Sequence, residues 1–578
     1  MKRPRGRTVA LLAGLLLLVS GALHVARWRP VALSGAAPQD GYVRVPGVVH
    51  VHTTLSDGAA TPPEVIAAAR ASGLKFVAIT DHNTLAAKEW EGYHDGVLVL
   101  VGTEISTTAG HVVGLGMPDP PFRFSGDARD AFDDVYLLGG HAFVAHPTSP
   151  RPDFRWTAWD MPGPWGIELI NGDSQWRAAG WTRLARTLAL YPLNHRYALL
   201  GSLTAPTAAL AHWDEILARR PAAAIAGADA HGRVPVTRTR NLRFPSYESL
   251  LGIVRNHVLL NRELTGEASV DVPAIVRALS VGRSYVGLDA LAEAGGFSFT
   301  AVEPRDPRRR PWSMGDVVPP EPGLRLRAGG RLPEGARITL RRDGRPLAEA
   351  EGSIDVEAPG PGVYRVEVHV PGWGLPWVIS NPISVFAADE ARRRGEAAAW
   401  PPEPPAPPAT RVIDAFEGPT TFHAEVDPSS AMEPDVIAPN TGPDGSAAAR
   451  IRFRLGAPGE GRPYVWCALV SREARDLTGG EGLVFAIRGD RRYRIWVQVR
   501  DANPASADEG TEWWFASVRT EPDWRRVAVP FADMRSLNPK TDGRLDLGQV
   551  RQVVFVLDAG AVEPGTEGTI EIDDLALY

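Results

Sequence analysis

Between residues 45 and 300 one device recurs: a short apolar run that ends on a polar or ionisable residue. VVHVH, FVAIT, VLVLVGTE, HVVGLGM, AFVAHP, GIELIN and AAIAGADAH all follow it. Helical stretches lie between them. PPEVIAAARASG has prolines at its start and a glycine at its end, and residues 208–219 form another. Strands alternating with helices predict parallel β/α units. A β/α barrel carries its site at the C-terminal ends of its strands, which is where this chain places its ionisable residues.

The first run sets His50 and His52 one residue apart, with Asp57 five residues further on. Residues i and i+2 of a strand point the same way, so the two imidazoles are expected to project together. Of 14 histidines, 11 lie between residues 50 and 257, and several follow a strand beside an acid: TDH at 80–82, TE at 103–104, AHP at 145–147 and ADAH at 228–231. Imidazole nitrogen and carboxylate oxygen suit zinc, manganese or iron. So many ionisable groups buried without a cation would be costly. The single cysteine, Cys467, excludes an intrachain disulfide and a cysteine-based metal site. A net charge of −6, with no long basic run beyond the N-terminus, argues against dedicated nucleic-acid binding.

At 578 residues the chain is too long for one core. MKRPRGR followed by TVALLAGLLLLVSGALHVA reads as a signal peptide or signal anchor over residues 1–28. The nearest small-x-small site, Ser34–Ala36, is far downstream, which favours an uncleaved anchor with its basic end inside. The body is then exported, periplasmic or extracytoplasmic, and tethered to a bacterial inner membrane. The barrel is placed over 40–300. Alternating segments around Gly-rich turns predict a small immunoglobulin-like β-sandwich over 310–388. A charged, then Pro-dense stretch over 389–410 reads as a linker. Evenly spaced strand candidates over 411–578 predict a jelly roll bracketed by IDAFEG and TIEIDDLAL.

HVHTTLSDG, AITDHNT, GTE, GHVVGLG, AHP and GADAH, in that order, resemble the motifs of the polymerase and histidinol phosphatase (PHP) superfamily. The resemblance implies a distorted seven-stranded β/α barrel and a metal-dependent hydrolase holding two or three divalent ions. Carried over position by position, it gives His50, His52, Glu104 and Asp229 to one metal. Glu104 then bridges to a second, completed by His111 and His146, and Asp57, His82 and His231 hold a third. Glu104, Asp229 and His231 become the catalytic candidates. Asp81 is either an imidazole-orienting partner or a strand-end cap. GIELING, RSYVGLDAL and LPWVISNPISV look similar to the CehA/McbA branch, named for carbaryl hydrolase.

Hydroxide generated on clustered cations attacks phosphorus or a carbonyl carbon. Phosphoester hydrolysis is the leading expectation. Hydrolysis of a carbamate or carboxylic ester is the alternative, and a non-catalytic surface glycan-binding protein is the other. His195, Arg151 and Arg177 are the substrate-binding candidates, arginine forks being suited to phosphate. The last segment looks like a galactose-binding-like, carbohydrate-binding-module-like fold. It suggests structural calcium at Asp414, Glu417 or Asp574, and a cell-surface glycan stacked on Trp466, Trp496, Trp513, Trp514 or Trp524.

Overall fold

In the computed structural model, residues 5–578 are described apart from 121, 236, 238–239, 304–309, 460–463, 507–509, 537 and 539–540; for 5–12 and 235 only the backbone is described. The chain forms two compact units, Met1–Asp119 with Gly126–Pro401, and Pro120–Ser125 with Pro402–Tyr578.

In the first unit, helix α1 (Arg5–Arg27) precedes strand β1 (Val43–Val51). Part of the expected signal or anchor segment therefore lies outside the described side chains. Among the described residues, no helix is long and apolar enough to cross a membrane. Helix α2 (Pro62–Ala71) starts where the sequence places it: two prolines need no partner for their missing N–H groups, and Glu64 accepts the Thr61 backbone N–H at 2.7 Å. Strand β2 (Phe76–Ile79) follows in parallel register with β1, and β3 (Val97–Val101) in parallel register with β2. The chain then runs across Gly102 into β4 (Thr103–Thr107), which pairs antiparallel with β5 (Gly110–Leu115). After helix α3 (Ala128–Leu137), β6 (His141–Ala145) pairs antiparallel with β5 and parallel with β7 (Gly166–Asn171). Strand β8 (Ala224–Ala230) closes the ring on β1. With β3 and β4 as one bent passage, this is the expected distorted seven-stranded barrel, the distortion being the antiparallel β4–β5–β6 run. Its core packs Val49, Phe76, Leu100, Val113, Phe143 and Ile225 together with Ile275 and Leu279 of helix α4 (Ala268–Ser280).

Beyond the ring, β9 (Arg255–Leu260) pairs with the N-terminal half of β1, and β10 (Ser284–Gly287) with β9. His257 is buried in β9. It meets Asp289 at 2.8 Å and stacks on Tyr285. The sandwich expected over 310–388 does not stand apart from the barrel. Its strand β13 (Pro376–Ser380) pairs with β10, and β12 (Gly362–His369) and β11 (Arg337–Arg342) continue the same sheet. The facing sheet already begins at Phe297, and one core joins Tyr285, Leu291 and Phe299 to Val366 and Trp377. Alternating strands look alike whether they form an independent sandwich or extend a neighbour's open edge, so composition alone does not separate the two. The charged start of the 389–410 stretch is a helix, α5 (Ala388–Ala397).

The second unit is two antiparallel sheets. One contains β14 (Ala448–Arg454), β16 (Gly482–Gly489) and β20 (Glu567–Leu577). The other contains β15 (Trp466–Ser471), β17 (Arg494–Ala502), β18 (Thr511–Arg519) and β19 (Val550–Asp558). Residues Arg411–Asp414 lie along β20, so the two ends of this segment pair as expected of a jelly roll.

Candidate metal centre

All nine candidate ligands converge at one end of the barrel, held by strand ends and the loops that follow them. Glu104, buried on β4, is the hub. Its Oε2 lies 3.1 Å from His50 Nε2, 3.2 Å from His52 Nε2 and 3.2 Å from His82 Nδ1. Its Oε1 lies 2.8 Å from both His111 Nδ1 and His146 Nε2. Asp229 Oδ1 faces His50, His52 and His231 at 3.2 to 3.5 Å. Asp57 Oδ1 faces His231 at 3.1 Å, His82 at 3.7 Å and His52 at 3.8 Å. Three groups of these residues bring ligand atoms close enough to share an ion: His50, His52, Glu104 and Asp229; His52, Asp57, His82 and His231; His82, Glu104 and His111. The first group is the expected one. In the other two, His52 joins Asp57, His82 and His231, and His82 stands beside Glu104 and His111 where His146 was expected, His146 instead meeting Glu104 Oε1 at 2.8 Å.

The backbone is bent to achieve this. His50, His146 and Asp229 all have positive φ, at 64°, 29° and 48°. The register of β1 slips against β2 between Val48 and Val51, and against β8 between Gly227 and Ala230. His50 and His52 therefore meet, with ring centroids 5.2 Å apart, through an irregularity in the strand and not by plain alternation. Non-glycine residues in this region are costly and cluster at functional sites.

Seven buried polar atoms of the cluster have no hydrogen-bond partner: His50 Nε2, both ring nitrogens of His52, Asp57 Oδ1, His82 Nδ1, Glu104 Oε2 and Asp229 Oδ1. Burial alone pushes carboxylates up and imidazoles down. The neighbouring charges overcome it for most of the set. Glu104 and Asp229 are held well below the usual carboxylate range, chiefly by His50. His52 is raised to about 9 by Asp229 and Glu104, while burial leaves His82 at about 4. Anionic oxygens and imidazole nitrogens that find no other partner fit a divalent cation.

Three residues at the site were not singled out from the sequence. Glu168, buried on β7, accepts from His50 Nδ1 at 2.6 Å and from the backbone N–H of His146 at 2.8 Å. A Cβ on Gly227 would fall 1.9 Å from its Oε1, so that glycine makes room for it. A lone acid inside the apolar run GIELIN was the available signal. The buried Tyr247 hydroxyl lies 2.7 and 2.9 Å from the His52 and His231 carbonyl oxygens, tying two ligand loops together. Arg233 holds Asp57 Oδ2 at 2.7 Å. Asp81 does not touch an imidazole. It accepts the Thr53 N–H and hydroxyl, each at 2.7 Å, and the Ser56 hydroxyl at 2.5 Å, fixing the loop after β1.

Of the substrate candidates, Arg151 lies over the Phe154 ring, which packs on His111 with centroids 4.7 Å apart. Burial, then the charge of Arg177, lowers the Arg151 pKa against Asp173 and Asp229. Arg177 pairs with Asp173 on the helix Gly172–Ala178. His195 is exposed at the start of the helix His195–Leu200, with its ring near Tyr191 and its charge neighbours Arg196 and Glu248.

Residues 49–131 match the PHP domain family. The chain belongs to the PHP family. An uncharacterized protein of Methanocaldococcus jannaschii is 33% identical over 118 residues, 18% of this chain and 67% of that one. The 3′,5′-nucleoside bisphosphate phosphatase of Chromobacterium violaceum is 40% identical over 79 residues, 12% of this chain and 27% of the phosphatase. A solved two-domain Bacteroides vulgatus protein, described as containing a predicted PHP-like metal-dependent phosphoesterase, is similar at 18% identity. It covers 61% of this PHP chain and 99% of its own, with a TM-score of 0.29.

In the second unit, Trp514 is buried in the core. Trp466 and Trp496 pack outside it against Val554 and Val556. Trp513 lies under the Arg500 guanidinium and Trp524 near that of Arg488. Asp414 accepts from Phe416 and Thr420 in its own turn, while Glu417 and Asp574 lie near the buried Asp573.

Proposed function

We propose that this PHP protein is a metal-dependent phosphoesterase. The observation that carries the proposal is the convergence of seven partnerless buried ligand atoms around Glu104. The nine residues would hold two or three divalent ions, with Glu104 bridging, as both its oxygens are faced by imidazoles. Such ions, when bound, supply Lewis acidity, acidifying water and neutralising charge on phosphoryl oxygens. The reaction adds water across the ester: an oxygen–phosphorus bond forms, the ester P–O bond breaks, and a proton ends on the departing alcohol. Glu168 fixes the His50 tautomer, since its carboxylate accepts from Nδ1 and leaves Nε2 facing the centre. Arg151, stacked on the Phe154 ring that packs on His111, suits the non-bridging phosphoryl oxygens, with Arg177 as a second candidate. The phosphatase activity named for the Chromobacterium relative agrees with this reading.

The proposal extends to an exported enzyme tethered by α1, which exposes Leu15, Leu16, Leu17 and Leu18 around its circumference. It also extends to a glycan held on the outer face of β17 through Trp496, and to calcium beside Glu417 and Asp574. The test is metal analysis with turnover of p-nitrophenyl phosphate and bis-p-nitrophenyl phosphate, against p-nitrophenyl acetate and an aryl methylcarbamate. Two to three metals with phosphoester turnover are expected. Turnover of the acetate or carbamate alone overturns the phosphoester assignment.

A further inference from the structure

Beside the cluster the barrel opens into a pocket of about 80 Å³. Asp229 and His231 form one end. The remaining wall is mainly Ile170, Trp176, Leu199, Leu203, Leu250 and Ile253. Three of the polar side chains on that wall are already engaged. The Ser202 hydroxyl donates to the Leu199 carbonyl at 2.6 Å, Asp173 pairs with Arg177, and Arg233 holds Asp57 at 2.7 Å.

A substrate whose scissile group sits at Asp229 and His231 directs its adjoining group into this wall. A sugar or a base there would lose hydrogen bonds to water and find few replacements, which is unfavourable. An apolar group gains from the same burial. The volume is about half that of an engineered cavity of roughly 150 Å³ that binds benzene. A volume of this size favours a branched alkyl chain or a single ring reaching toward the open end over a fused bicycle.

We infer that this pocket binds a compact apolar substituent, so that the substrates are phosphate esters of small hydrophobic alcohols or phenols and not nucleotides or sugar phosphates. The inference rests on the phosphoesterase reading and specifies its substrate class.

The test is calorimetric titration of the full-length, metal-reconstituted protein with non-hydrolysable phosphonates: methyl, isobutyl, benzyl, 1-naphthylmethyl and 2,3-dihydroxypropyl. Isobutyl- and benzylphosphonate are expected to bind about tenfold tighter than methylphosphonate, given roughly 0.8 kcal/mol per buried methylene less the cost of ordering the chain. The dihydroxypropyl compound should gain nothing over methyl, and naphthylmethyl nothing over benzyl. Leu203→Asn and Ile253→Asn should each erase most of the apolar gain. Equal affinity across the series, or tighter binding of the dihydroxypropyl compound, overturns the inference while leaving a phosphonate-binding metal centre in place. Failure of every phosphonate to bind the metal-loaded protein overturns the phosphoesterase reading, and the inference with it.

Discussion

Strand β17 in the second unit and strand β1 in the barrel are both nine residues long, and they treat alternation differently. Along β17, Ile495, Val497 and Val499 enter the core while Trp496, Gln498 and Arg500 face outward. The pleat dictates this period, and packing rewards it. Strand β1 is buried almost throughout its second half, and at His50 the backbone turns to a φ of 64°. The register slip beside it brings His50 and His52 to the same carboxylate. Where a strand obeys its period it reports packing; where a buried strand breaks it with ionisable residues, it reports a site.

The strongest way to break this contrast is at the hub. Glu104→Gln keeps the shape and removes the charge that five imidazoles face. Phosphoester turnover should fall about a thousandfold, with metal content reduced in elemental analysis. Equal turnover at full metal content would remove Glu104 from its bridging role. The matching change in the other region is Phe555→Ala. Phe555 is fully buried, with ring centroids 5.2 Å from Phe485 and 6.2 Å from Phe422. Its loss should cost about 3–5 kcal/mol in the second unit, read by denaturation, with bound metal unchanged. A fall in metal content would show that the two regions do not divide labour as the strands suggest.

The ligand set was legible because most of its residues stand at the ends of apolar runs or in the loops just beyond them, a pattern local to each run. The groups that support the ligands were less so. Glu168 acts through His50, 118 positions away in the chain, and nothing in GIELIN alone says which imidazole it meets. Tyr247 joins two loops through their carbonyl oxygens, contacts that no residue spacing encodes. The barrel and the jelly roll followed from periodicity, whereas the attachment of β13 to β10 depends on which edge a strand finds. Glu168→Gln tests the supporting group. Metal affinity or turnover should fall about 10- to 100-fold, less than for Glu104→Gln. A loss as large as the hub's would make Glu168 a ligand in its own right.

The smallest expected effect lies in the second unit. Asp573 is buried on β20, and burial first, then the nearby charges of Asp574 and Glu417, raises its pKa from 3.8 to about 6. A carboxyl raised in the folded state contributes stability that is complete below its ordinary pKa and is lost as pH rises through the raised value. The folded protein therefore bears an unfavourable anion above pH 6. Asp573→Asn stays neutral, so its melting temperature should match the wild type near pH 4 and exceed it by a few degrees at pH 8. Both proteins are compared in chelator. A difference that does not change with pH would place the effect in packing and not in charge. Calcium sharpens the same experiment. A cation beside these three carboxylates would stabilise the ionised form, so calcium at pH 8 should raise the wild-type melting temperature more than the variant's. Equal shifts would leave this acidic corner a repulsive feature of the fold, in contrast to the barrel, where the same concentration of charge is spread over imidazoles that face it.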